Sequence, residues 1–156
     1  MQKFTILPDS ISKEAAVATI HKLDSSQPYI AERKIYYPYQ FVSYQMKVKA
    51  LLVKEGALGC TIDMISGRES VIDSKPSFER SVLDEAERLP AVLSKEKAEK
   101  KAVQFFQRHA SKKYKFLTVP RFSLKESQLF FRPFWVVSSE QNRFIVDAVS
   151  GKFHPL

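Results

Sequence analysis

The stretch V-D-A-V-S-G-K at 146–152 is matched 84 positions earlier by I-D-M-I-S-G-R at 62–68, and what this pair means decides the fold. In both places an apolar run, C-T-I-D-M-I from Cys60 and R-F-I-V-D-A-V from Arg143, leads into Ser-Gly and a basic residue. Period-two alternation ending at Ser-Gly predicts a strand, a tight turn and a second short strand. Gly67 and Gly151 supply the positive φ such a turn needs, while Asp63 and Asp147 stand where a carboxylate can accept nearby backbone N–H groups.

A second echo lies upstream of each. L-P-D-S-I-S-K-E-A-A at 7–16 and L-P-A-V-L-S-K-E-K-A at 89–98 agree at six of ten positions, with an offset of 82. Ser12 and Ser94 read as helix N-caps, Glu14 and Glu96 sit where the helix dipole favours negative charge, and Ile11 and Leu93 are placed as hydrophobic staples. Two pairs of matches in the same order predict an internal duplication. Between them lies a looser pair of aromatic, proline-containing strands, Y-Y-P-Y-Q-F-V-S-Y-Q-M-K-V-K-A from Tyr36 and F-F-R-P-F-W-V-V-S-S from Phe130, followed by a long hairpin around V-K-E-G-A-L-G and a short one around S-S-E-Q-N-R.

The expected fold is therefore α+β, with each half a helix packed on its own antiparallel sheet and the two halves packed together. Residues 1–75 form the first half, 76–91 a linker with a short helix from Phe78 to Arg88, and 92–156 the second half. Val42, Tyr44, Met46 and Val48 alternate with polar residues, as do Leu58, Cys60, Ile62 and Met64, so one face of that hairpin is buried and the other wet. Phe131, Phe134, Trp135, Val136 and Val137 fill both faces of the later strand. Ala16, Ile20 and Leu23 make the apolar stripe of the first helix, and Ala98, Ala102, Phe105, Phe106 and His109 that of the second.

A helix opening S-K-E-x-A, followed by strands whose last one ends V-D-A-x-S-G-K, resembles the PepSY domain. The C-terminal copy carries the resemblance through L-S-K-E-K-A-E-K-K-A-V-Q-F-F, F-W-V-V and F-I-V-D-A-V-S-G-K-F, and the N-terminal copy through I-S-K-E-A-A-V-A-T-I and C-T-I-D-M-I-S-G-R. The resemblance implies a small helix-over-sheet module without catalytic residues, one that binds or restrains peptidases or serves as a protein-interaction module.

The chemistry written in the residues agrees with a noncatalytic role. His21, His109 and His154 have no metal-ligand spacing, the single Cys60 lies on the predicted buried face, and Asp63 and Asp147 are explained by their turns. His109 is expected at the edge of the core, hydrogen-bonded. No cofactor is expected, and an enzyme remains only as a site assembled from scattered residues. With 44% hydrophobic and 12% aromatic residues the chain can fill a core, and no run reaches the ~18–20 apolar residues of a membrane span. M-Q-K-F-T-I-L-P-D-S lacks the apolar centre of a signal peptide, and the lone cysteine suits a reducing compartment, so a cytoplasmic location is expected.

Charge supplies the alternative function. The net charge is +8, and residues 95–125 alone hold ten Lys or Arg against two Glu. Lys97, Lys101, Arg108, Lys112, Lys113, Lys115 and Arg121 form a basic patch over 95–121 that would contact an anionic partner, nucleic acid being the alternative to a protein or peptide. Tyr37, Tyr39, Phe131 and Trp135, clustered about Pro38 and Pro133, are the aromatic counterpart: core and seam on one reading, a protein-binding surface or homodimer contact on the other.

Overall fold

The computed structural model describes residues 2–49, 53–113 and 120–156. It is an α+β fold with two α-helices and eight strands: β1 (Lys3–Ile6), α1 (Lys13–Leu23), β2 (Ile30–Lys49), β3 (Val53–Asp63), β4 (Glu69–Ile72), β5 (Glu79–Val82), α2 (Lys95–Lys113), β6 (Arg121–Ser138), β7 (Arg143–Asp147) and β8 (Phe153–Pro155). The strands form a mostly antiparallel sheet in the order β4-β3-β2-β6-β1-β5, with β7 on β6 and β8 on β7. The described residues gather into two compact units that interleave along the sequence. One takes Met1–Pro38, Ser77–Pro90 and Phe130–Leu156, the other Tyr39–Pro76 and Ala91–Leu129.

In the second unit, β2 and β3 pair antiparallel, with Val42 opposite Cys60 and Gln40 opposite Ile62. Directly opposed residues share a face, so Val42, Tyr44, Cys60, Ile62 and Met64 converge in one core, closed by Ala98, Ala102 and Phe106 of α2. Phe106 is fully buried and meets Tyr44 and Phe122, at ring separations of 5.7 and 6.4 Å. The opposite face is not simply wet: Phe41 is buried there beside Gly59. V-K-E-G-A-L-G proves to be strand, since β3 runs through it.

In the first unit, α1 buries Ala16 and Ile20 against Val137 of β6 and Val146 of β7. Trp135 Nε1 donates to the Ile11 carbonyl at 2.9 Å, and Arg132 pairs with Asp147 at 2.8 Å. β1 pairs parallel to β6 at Ile6 and Phe131, and antiparallel to β5 along its length. Leu23, placed by periodicity on the buried stripe, is 56% exposed because α1 ends one turn beyond its contact with the sheet.

Each helix therefore covers the hairpin contributed by the other half of the sequence, which corrects the expectation that each lies over its own sheet. The joint is built identically in both units. In one, Val92 and Leu93 N–H both donate to the Met64 carbonyl at 2.8 and 2.9 Å; in the other, Ser10 and Ile11 N–H both donate to the Ala148 carbonyl at 2.8 Å. The following Ser94 and Ser12 hydroxyls cap their helices by accepting from Lys97 and Ala15 N–H. In the turns, Asp63 Oδ1 accepts from Ile65 and Ser66, Asp147 Oδ1 accepts from Val149 and Ser150, and Gly67 and Gly151 have φ of 81° and 79°. That conformation is nearly free of strain only for glycine.

The expected helix at 78–88 is instead β5 followed by a 3₁₀ turn at Glu85–Glu87. Arg80 donates to Thr5 Oγ1 and to the Lys3 carbonyl at 3.1 Å, and Phe78 packs on Phe130 at 5.0 Å. Pairing with β1 along all four residues of β5 outweighs the helical spacing.

Two carboxylates of the first unit are held below their ordinary range. The Ser26 hydroxyl and then the Tyr29 hydroxyl hold Asp24 below its ordinary 3.8, and the Ser138 hydroxyl, followed by Arg143, holds Glu32 below 4.5. A depressed carboxylate contributes stability that is present above its unfolded value and is lost as pH falls through its folded one. The urea midpoint should thus hold steady to about pH 5 and drop below about pH 4, with a shallower drop in the Asp24→Asn, Glu32→Gln double variant. An equal drop in wild type and variant would show that other groups set the acid limit.

Candidate functional site

Three features of the second unit meet along β4. The first is the turn leading into it. Arg68 N–H donates to Ser66 Oγ at 3.2 Å and its carbonyl accepts from Asp63 N–H at 2.8 Å, which fixes the backbone from which the exposed Arg68 side chain projects. The second is α2, where Phe105, Arg108 and His109 fall at i, i+3 and i+4 and so share one side. Arg108 forms an ion pair with Glu69, the first residue of β4, at 2.7 Å, and Phe105 and His109 stack at 6.1 Å. Arg68, Glu69, Phe105, Arg108 and His109 together line a cavity of about 270 Å³. One helical turn away, the Lys101 side chain passes over Gly67, where an added Cβ would come within 3.2 Å of Lys101 Cε.

The third feature lies at the other end of β4, on the opposite face of the sheet. Gly59 stands opposite Ile72. With Phe41 they floor a concavity of about 230 Å³ whose rim carries the Lys75–Glu126 ion pair at 2.6 Å. A Cβ at Gly59 would meet Ile72 Cγ1 at 3.4 Å, so the glycine keeps the floor open. Between the two hollows, β4 pairs with β3 alone among the described strands, and its Val71 is 51% exposed.

Of the basic residues singled out from sequence, Lys97 and Arg108 are exposed on α2, Lys101 is half-buried over the turn, and Arg121 is exposed at the start of β6. Lys112 and Lys113 belong to the last turn of α2, and Lys115 lies outside the described residues. The partner of this stripe missed in sequence is Arg68, which the shared turn motif explained as a turn residue and nothing more. His109, expected at the edge of the core, is exposed and stacks on Phe105.

The aromatic candidates divide differently. Phe131 is buried against Phe4 at 5.7 Å and offers no surface. Trp135 is half-buried, with Lys34 over its ring at 4.9 Å. Tyr37 is half-buried and meets Phe134 edge-on at 6.1 Å; Tyr39 is half-buried opposite Asp63. Phe131 is buried and the other three are only half-buried, so none of the four is a fully exposed ring.

Cys60 is fully buried, and burial pushes its thiol up to about 12, which removes the thiolate needed for nucleophilic work at neutral pH. Among the described residues no three of His, Cys, Asp and Glu converge as metal ligands would. None of the described helices is long and apolar enough to cross a membrane. Comparison with protein-family models, with curated proteins and with solved structures gives no match.

Proposed function

We propose that this chain is a noncatalytic, cytoplasmic interaction module, a duplicated PepSY-like fold whose helices are exchanged between its halves, and that it binds an extended peptide along β4. The twice-made joint between helix start and Asp-Gly turn supports the duplication. The edge of β4 carries the binding reading: a strand that among the described strands pairs with β3 alone, bearing the exposed Val71 and flanked by a hollow over Phe41, Gly59 and Ile72. Natural sheets usually blunt such an edge with charge, proline or a covering loop, and an edge left open is a template for strand addition. In that mode main-chain hydrogen bonds supply affinity and side-chain hollows supply selectivity.

A displayed library of random peptides, selected on the intact protein, tests this reading. Enriched sequences should be extended and should carry a recurrent apolar residue. Val71→Lys should abolish their capture while changing folding stability by no more than about 0.5 kcal/mol. Capture that survives in Val71→Lys would sink the edge as the binding surface.

The basic stripe favours a second reading, nucleic-acid binding over 95–121, because Lys97, Arg108 and Arg121 are all exposed. Polarisation of labelled oligonucleotides over a salt series should then show binding that weakens steeply with salt and vanishes in the Lys97→Glu, Lys101→Glu, Arg108→Glu triple variant. Salt-insensitive or absent binding removes this reading.

A further inference from the structure

We infer that the cavity at the head of β4 receives a phosphorylated side chain of the peptide that adds to this edge. This rests on the strand-addition reading and gives that peptide a chemistry and a spacing. Arg68 from the turn and Arg108 from α2 line the cavity together with His109, and Lys101, two turns before Arg108, lies over Gly67 in the same turn. Guanidinium is the side chain best matched to phosphate oxygens, which it can hold by two parallel hydrogen bonds.

Glu69 selects which phosphate. It already occupies Arg108 at 2.7 Å and adds its own negative charge to the wall. A phosphodiester brings a single charge and gains little by displacing a carboxylate. A phosphomonoester carries about −1.5 to −2 and three acceptor oxygens, enough to compete with Glu69 for Arg108 while engaging Arg68. A nucleic-acid strand also needs a groove that tracks successive phosphates, whereas this is a single open hollow of about 270 Å³ at one end of a four-residue strand.

Spacing follows from β4 itself. The phosphate hollow adjoins Glu69 on the α2 face and the apolar hollow adjoins Ile72 on the other. At ~3.3 Å per residue the two are ~10 Å apart along the edge. Residues of an added strand that point to opposite faces are an odd number apart. The partner should therefore carry its phosphorylated residue three positions from an apolar one.

Two random peptide libraries passed over the immobilised intact protein test this, one with a fixed central phosphoserine and one with serine there. The phosphoserine library should be retained at least about tenfold better, with apolar residues enriched three positions away. Arg68→Ala and Arg108→Ala should each bring it down to the serine level, with melting temperatures held to those of wild type. Glu69→Gln should raise retention of the phosphoserine library, a gain that loss of a merely structural ion pair would not produce.

Equal retention of both libraries, with both lost in Val71→Lys, overturns the phosphate inference and leaves the strand-addition reading standing. Retention of neither overturns both. An oligonucleotide bound through Arg68 and Arg108 while the phosphoserine library is ignored assigns the hollow to nucleic acid and overturns the inference as well.

Discussion

Phe106→Ala is expected to lower folding stability by about 3–5 kcal/mol, read as a shift in the urea midpoint at unchanged slope. The ring is fully buried between Tyr44 and Phe122, in a core that α2 closes. Its removal forfeits the transfer energy of the side chain and leaves a void lined by Val42, Cys60, Ile62 and Met64 from strands that cannot slide inward without breaking their pairing. The same variant tests the exchange of helices. Hydrogen exchange should accelerate most at the β2–β3 amides facing α2, including those of Cys60 and Ile62. Acceleration centred on β6–β7 instead would mean that α2 covers the hairpin of its own half.

The next largest effect is expected at Asp147, where Asp147→Ala should cost about 2–4 kcal/mol in the same measurement. One carboxylate oxygen accepts from Val149 and Ser150 at 2.8 and 3.2 Å, and the other pairs with Arg132 at 2.8 Å. The Asp147 side chain is only 14% exposed and that of Arg132 29%, so removing the carboxylate strands a guanidinium in a partly dry setting. Asp147→Asn keeps an oxygen for the turn and loses only the charge, so it should recover roughly half of the loss. If alanine and asparagine cost the same, the turn bonds contribute nothing and the ion pair carries the whole effect.

What sequence could show was whatever is encoded within a few residues. Alternation along β2 and β3, the serine caps, the Asp-x-x-x-Gly turns and the short strands after them all follow from local chemistry, and all are present. Which hairpin a helix covers is not local. Ala16 and Ile20 state that α1 has an apolar side, but Val137 and Val146 suit that side as well as Cys60 and Ile62 would, so periodicity left the partner open. β1 and β5 escaped because K-F-T-I and E-R-S-V are four residues each and gain order only from one another. The same limit hid the candidate site: Arg68 and Arg108 stand 40 positions apart, and only the packing of α2 against β4 joins them in one hollow.

The exchanged helices also set an order of events during synthesis. Ile11 is made 124 residues before Trp135, whose indole its carbonyl receives, and α1 buries its apolar side against Val137 and Val146. At ~5–20 residues per second, the first helix leaves the ribosome many seconds before the surface it covers exists. The second unit, whose last segment ends at Leu129, can close earlier. A nascent chain halted after that point would hold one finished unit and one bare amphipathic helix, the species that a chaperone would meet.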